Sequence, residues 1–477
     1  MKPYLSIKEI KEKLEKKEIT QQEILTFYKK RIEELNPKLN AFLEVFEDEF
    51  SKDHPKNGNL AGIPGVLKDN ICQKGRITSC ASKILSNFTP TYDATVTKRL
   101  KDNGGIILGR ANCDEFAMGG SGEFSAYGPT INPWDFSRSP GGSSSGPAAA
   151  VASGLVPWAI GSETGNSVRL PASFCGLVGI YPTYGLFSRK GLVAFTSSTD
   201  QPAPLTKTVY DNALVASVLS GHDSKDGTSV CKPQQDFTKN LNGKIPENLT
   251  IGIIQESLES EGVDPQIKSK FEETIKHLEK LGVKTKVVFL PNLKYGNAVY
   301  FVVSRAEAAS NLARYDGTLY GLRSKDAKSI EELYKKTRHD GFGEEVKRRI
   351  LMGNYVLASG HKDEFYNKAT EVRSLIQADF KKAFKEVDLL LSPTASALPF
   401  KLGKECKDPL AMYMADYFTV PMCVAGIPAI SLPCGFSKEN LPIGFQFIGP
   451  RLSEKLLYQV AYAYEQSTDF HLKNPNL

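Results

Sequence analysis

Two serines, Ser143 and Ser167, stand 24 positions apart in glycine-containing stretches, Gly141-Gly142-Ser143-Ser144-Ser145-Gly146 and Gly165-Asn166-Ser167-Val168-Arg169-Leu170-Pro171. Lys68 lies upstream in Gly65-Val66-Leu67-Lys68-Asp69-Asn70, and no histidine occurs between residues 55 and 221. A serine hydroxyl attacks a carbonyl only when something removes its proton. If one of these serines is a nucleophile, a lysine must start its activation. Lysine is a base only when neutral, so burial or cationic neighbours must lower its pKa. A phosphate cradle is the competing reading of the glycine-serine loop. It fails because no lysine follows Gly146 and the spacing of a dinucleotide loop is absent.

The elements around these residues alternate between strand and helix. Ile63 to Leu67 reads as a strand that delivers Lys68 at its end. Thr95 to Asn103 reads as a helix stopped by Gly104-Gly105, followed by a strand from Ile106 to Leu108. Pro147 to Ala152 is a helix with proline at its start and Gly154 beyond its end, and Val156 to Ile160 is the next strand. Upstream, Ser6-Ile7-Lys8-Glu9 and Thr20-Gln21-Gln22-Glu23 are capping boxes that open two amphipathic helices. A polar stretch, 222–248, separates the halves. Beyond it, strands at 249–254 and 283–290 flank a helix at 265–281. Residues 343–386 read as largely helical, and 387–391, 429–432 and 443–448 as strands. This alternation implies a layered α/β/α fold, with 1–477 taken as one unit and 222–248 as a connection within it.

The chain has 477 residues, 41% of them hydrophobic and 24% charged, which is globular composition. Its net charge of +6 is spread thinly, unlike the concentrated charge of a dedicated nucleic-acid binder. The densest basic cluster, Lys8 to Lys17, is interleaved with glutamates and reads as a solvated helix face. Eight dispersed cysteines without a C-x-x-C pair argue against zinc and against a disulfide framework. They fit a reducing compartment: the cytoplasm, with an organellar matrix left open. No apolar signal core or membrane-spanning run is present, so no membrane association is expected.

The segment Gly141 to Ala172 resembles the amidase signature, keeping its serines, its acidic position and its Arg-x-Pro. Gly62 to Asn70 is similar to that family's lysine strand, and Gly426-Ile427-Pro428-Ala429 and Leu441 to Gln446 to its C-terminal strands. The resemblance implies a three-layer α/β/α sandwich around a large mixed β-sheet. It also implies a Ser-cisSer-Lys triad, with Ser167 as nucleophile, Ser143 as proton relay and Lys68 as base. A hydroxyl suits the relay because it both donates and accepts. The family's oxyanion loop maps onto the backbone of Thr164, Gly165 and Asn166. Here the chain departs from pattern. Asn166 stands where glycine is usual, and asparagine tolerates a left-handed backbone better than most residues. Ser145 replaces a common glycine, Pro147 a common serine, and Tyr181-Pro182-Thr183 a usual Lys-Pro-Thr.

Four further segments narrow the branch: Asn112 to Gly119, Tyr127 to Asp135, Gly341 to Ile350, and Asp408 to Asp416. They resemble the glutaminase subunits of tRNA-dependent amidotransferases within that family. That branch implies hydrolysis of glutamine to glutamate and ammonia. It implies two partner subunits of B and C type, with tRNA held mainly by a partner. Glu-tRNA(Gln) is the expected acceptor, with Asp-tRNA(Asn) the other option. No cofactor is expected in this subunit; ATP and Mg are expected in a partner, and no metal here. Glutamine is a zwitterion, so its pocket needs an anion and a cation. The resemblance places these at Asp416 and Arg349, with Arg348 as a neighbour easily mistaken for the latter, and adds Tyr300. The alternatives are a free-standing hydrolase of another small amide and a structural subunit without activity.

Overall fold

The computed structural model describes residues 1–259, 262–403 and 415–477. Most of the motif from Asp408 to Asp416 therefore lies outside the described residues, as does Cys406; Asp416 itself is described. Among the described residues, eleven strands form one sheet: β1 (Phe42–Val45), β2 (Pro64–Lys68), β3 (Ile106–Ala111), β4 (Trp158–Glu163), β5 (Val178–Tyr181), β6 (Gln201–Thr206), β7 (Thr250–Ile254), β8 (Lys284–Val288), β9 (Leu389–Pro393), β10 (Ala429–Phe436) and β11 (Pro442–Ile448). Their order across the sheet is β1-β3-β2-β4-β6-β5-β10-β11-β9-β7-β8. Parallel pairs (β2 with β3 and β4, β7 with β8 and β9) form two groups separated by a run of antiparallel ones, so the sheet is mixed, as expected.

The helices are α1 (Ile7–Glu15), α2 (Gln21–Leu39), α3 (Thr95–Asp102), α4 (Ser145–Ala152), α5 (Arg169–Cys175), α6 (Val209–Leu219), the single turn α7 (Glu256–Glu259), α8 (Pro265–Lys280), α9 (Gly296–Leu312), α10 (Ile330–Gly341), α11 (Glu344–Leu357) and α12 (Lys368–Ala383), with two more at Val420–Ala425 and Glu454–Gln466. Both capping boxes form: the Ser6 and Thr20 hydroxyls accept from the N–H groups of Glu9 and Glu23, whose carboxylates return to the cap backbone. Residues of α4 and α5 are buried throughout, which is the mark of helices sandwiched inside the protein rather than lying on it. Among the described residues, no helix is long and apolar enough to cross a membrane.

Three departures from the sequence reading matter for the site. The strand expected at 156–160 runs instead from Trp158 to Glu163, because Pro157 lacks the N–H needed for a ladder. The shift carries Glu163 to the strand's end. The helix expected from Pro147 begins at Ser145. Strand β6 escaped notice because Pro202 and Pro204 demote it on sequence alone. Strand β5 pairs only with Thr206 and Leu205, so most of one side of β6 needs no donors.

Strand β2 is buried along its length between β3 and β4. Gly65 permits this: a Cβ there would lie 2.2 Å from the indole of Trp158 on β4, which is itself wholly buried. Gly65→Ala therefore forces the indole and β2 apart. The expected cost is about 1–3 kcal/mol, read as a lower chemical-denaturation midpoint, with lysine reactivity at position 68 rising as its strand loosens.

Candidate active site

Lys68 ends β2 with no exposed surface. Its Nζ donates to Ser143 Oγ at 2.7 Å, Ser144 Oγ at 3.0 Å and the Ser162 carbonyl at 3.2 Å. The amine is thus seated in a polar cup while the groups around it are sealed from water. Burial lowers its pKa from 10.5 to about 8, against weaker opposing influences from Cys113, Asp114 and Asp200. A surface lysine would have none of these properties.

Ser143 follows a cis peptide bond at Gly142. The loop around it is clamped by Asp114. The Asp114 N–H donates to the Ser143 carbonyl at 3.2 Å, and its carboxylate accepts from the N–H groups of Gly122 at 3.1 Å and Phe124 at 3.0 Å. A Cβ on Gly142 would fall 2.1 Å from that carboxylate, so glycine is required there. Ser145 uses its hydroxyl on Thr130 at 3.0 Å, which gives that departure a structural role.

Ser167 lies on the adjoining loop between β4 and α5. The Ser144 N–H donates to the Ser167 carbonyl at 3.1 Å, joining the two serine loops directly. The Ser167 hydroxyl points to Asn166 Oδ1 at 3.4 Å, and no hydrogen bond joins it to Ser143. The structure therefore brings Lys68 onto Ser143 and sets Ser167 beside them with the last link unmade. The backbone N–H groups of Thr164, Gly165, Asn166 and Ser167 have no acceptor among the described residues. A run of such donors next to a hydroxyl is what an oxyanion needs. Asn166 is not among the residues with positive φ, so the loop makes no demand for a left-handed residue at this position. Tolerance of that conformation is not what asparagine supplies here.

The loop is braced by a buried ion pair that sequence reading noted only as part of the motif. Glu163 and Arg169 are both fully buried, with Arg169 Nη2 2.5 Å from Glu163 Oε1. The second carboxylate oxygen accepts from the N–H groups of Val168 and Arg169, at 2.9 and 2.8 Å. Arg169 also donates to Gln446 at 2.6 Å and to the Thr419 carbonyl at 2.7 Å, tying the loop to β11 and to the end of the Asp416 segment. Tyr181, standing where lysine is usual, places its ring 5.5 Å from the Arg169 guanidinium and donates to the Thr199 carbonyl. A lysine there would repel Arg169; a tyrosine face attracts it. Asp200 takes the Thr164 hydroxyl at 2.7 Å. Ser144, Ser162, Asp114 and Asp200 were not singled out from the sequence. A buried serine run and two isolated aspartates carry no distinctive spacing.

Two of the three expected substrate-binding residues, Tyr300 and Asp416, lie against the same loop. Tyr300, on α9, lies over Gly165, where a Cβ would be 2.9 Å from the ring. Asp416 accepts a hydrogen bond from the Asn166 side chain. Arg349, on α11, is 3% exposed, and its Nε donates to Glu345 at 2.7 Å. It faces inward, whereas the neighbouring Arg348 side chain is 38% exposed. Burial raises Asp416 to about 7, opposed by Arg349 and Arg305, and burial also raises the Tyr300 hydroxyl, opposed by Arg349. Arg305 was not anticipated; it is buried, with its guanidinium 5.8 Å from the Tyr300 ring. A carboxylic group and a phenol thus flank the loop that carries Ser167, and the Arg349 charge acts on both.

Comparison with known proteins matches residues 23–458 to the family model described as Amidase. The chain is similar to the A-type subunit of glutamyl-tRNA(Gln) amidotransferase from Halothermothrix orenii, at 50% identity over 475 residues and 99% of each chain. It is 49% identical over 480 residues to the protein of the same name from Listeria welshimeri, again over 99% of each chain. Among solved structures, that of the A-type subunit of glutamyl-tRNA(Gln) amidotransferase from Thermotoga maritima superposes with a TM-score of 0.83 at 40% identity, over 97% of this chain and 95% of that one.

Proposed function

The chain belongs to the amidase family, and on that premise we propose that it hydrolyses glutamine to supply ammonia within a tRNA-dependent amidotransferase. The observation that carries this reading is the placing of Tyr300 and Asp416 against the loop of a serine beside a lysine-bonded serine, with the Arg349 charge acting on both. A carboxylate and a guanidinium at one end suit the α-ammonium and α-carboxylate of a free amino acid. The hydroxyl at the other end suits its side-chain amide.

In this mechanism Ser167 Oγ attacks the amide carbon, its proton passes to Ser143, and the Ser143 proton passes to neutral Lys68. The oxyanion is held by the free N–H groups of the 164–167 loop. Ammonia leaves after taking a proton back through Ser143, and the C–N bond is replaced by a γ-glutamyl ester. Water, deprotonated along the same route, hydrolyses the ester to glutamate. In this mechanism the Ser167 hydroxyl turns from Asn166 to Ser143 to complete the relay. The ammonia serves amidation of Glu-tRNA(Gln), or Asp-tRNA(Asn), on partner subunits of B and C type, which hold the tRNA and the ATP and Mg. The dispersed cysteines fit a reducing compartment, the cytoplasm or an organellar matrix.

Labelling by a glutamine analogue that carries an electrophile at the amide position tests the reading. Modification of Ser167 and competition by glutamine are expected. Robust hydrolysis of simple amides by the isolated chain, with no preference for glutamine, overturns it.

The pH profile follows from Lys68. The group is active when neutral, and a pKa of about 8 leaves roughly one lysine in ten neutral at pH 7, about 300-fold more than at its ordinary value. The kcat/KM for glutamine is expected to rise about tenfold per pH unit between 7 and 8, more steeply below 7, where Asp416 also loses its charge, and to flatten above 8. Lys68→Arg is expected to abolish this limb along with the activity, because arginine does not deprotonate.

A further inference from the structure

Asn166 is the residue at which the nucleophile loop departs from its relatives, and its backbone gives no reason for the change, since its φ is not in the left-handed region. The reason lies in its side chain. Its Nδ2 donates to Asp416 Oδ1, and its Oδ1 faces the Ser167 hydroxyl at 3.4 Å. The residue is 3% exposed. One carboxamide therefore bridges the nucleophile and the carboxylate assigned to the substrate's α-ammonium.

We propose that Asn166 is a positioning residue that holds Asp416 at a set reach from Ser167, and so selects an amino acid whose amide lies at the distance of glutamine's. The proposal rests on the glutamine-hydrolase reading above and deepens it. A carboxylate has two oxygens and about four acceptor sites. Asn166 occupies one oxygen and leaves the other for an ammonium group, so it can remain in place while substrate binds. A carboxylate enclosed by protein needs donors to stay ionised and fixed in orientation. A donor one residue from the nucleophile does both, and makes the spacing between the two ends of the pocket depend on a single short side chain. A glycine at 166 would leave that spacing to the packing of the separate segment that carries Asp416.

The test uses the full chain co-purified with its partner subunits and measures glutamine and asparagine hydrolysis by the unaltered protein, Asn166→Ala and Asn166→Ser. Removing one donor to a charged acceptor is expected to raise KM for glutamine about tenfold in Asn166→Ala. The fall in kcat is expected to be smaller, and the preference for glutamine over asparagine to narrow. Asn166→Ser keeps a donor on a shorter arm and is expected to recover part of the KM change. Thermal melts of both variants establish that each is folded, and the serine variant carries the comparison should the alanine variant not fold. A KM within twofold of the unaltered protein in both variants overturns the assignment. A fall in KM also overturns it, since it would make Asn166 a competitor of the substrate. Failure of the unaltered protein to hydrolyse glutamine counts instead against the functional reading, and takes this proposal with it.

Discussion

Ser167→Ala is expected to lower glutamine hydrolysis by a factor of about 10⁴ or more, to a residue of activity supplied by binding and the oxyanion donors alone. Ser167 lies on the loop with the free N–H groups and is joined through Ser144 to the serine loop that holds Lys68, whereas the other hydroxyl of its loop, on Thr164, is bonded to Asp200. Ser144 also contacts Lys68, but its Oγ is committed to the Ser162 carbonyl at 3.0 Å and accepts from the Ser162 N–H at 3.2 Å. It is therefore a poor substitute. The variant removes one buried atom whose only side-chain hydrogen bond among the described residues is a long one to Asn166, so its melting temperature is expected to stay near that of the parent. Steady-state ammonia release by the complex, with a melt beside it, checks both halves. Activity of Ser167→Ala within tenfold of the parent would remove the nucleophile assignment and the mechanism built on it.

The second large effect is on stability. Arg169→Met is expected to cost about 3–5 kcal/mol, because it leaves the fully buried Glu163 carboxylate without its cation. The loss should exceed that of an ordinary core substitution of the same volume, and it should be relieved by a second change. In Glu163→Gln/Arg169→Met no unpaired charge remains, and most of the stability is expected to return. Activity is not expected to return with it. The Glu163 carboxylate also receives the N–H groups of Val168 and Arg169, and those bonds shape the turn that presents Ser167. Denaturant titration of the two single variants and the double variant gives the coupling energy directly. Additive losses would show that the pair is not the brace described here.

Much of the site was legible in the chain. Lys68 at the end of an apolar strand is a pattern that burial explains, and the structure buries it fully. The absence of histidine across the region is a fact of composition that left lysine as the base. The capping boxes at Ser6 and Thr20 form as read, because their hydrogen bonds span only three residues. Local chemistry of this kind needs nothing from distant parts of the chain.

Other features were hidden for a common reason. Strand β6 carries two prolines, and only its neighbours in the sheet reveal that most of one side needs no donors. Asn166 reads as a conformational substitution, yet its role comes from Asp416, 250 positions away. Arg349 and Arg348 are alike in sequence, and packing of α11 turns one inward and leaves the other partly in solvent.

The sequence by itself determined an alternating α/β architecture and, by its lack of histidine, lysine as the base for any serine nucleophile, whereas the residues for a zwitterion were implied only by the family resemblance. It did so because residue type, strand and helix period, and capping are properties of short segments. Only the tertiary structure decided that Lys68 has a pKa near 8, that Ser143 receives its hydrogen bond while Ser167 faces Asn166, and that Glu163 and Arg169 brace the loop between them. Each of these depends on burial and on partners brought together from separate strands and helices, and neither quantity exists until the sheet has closed around them.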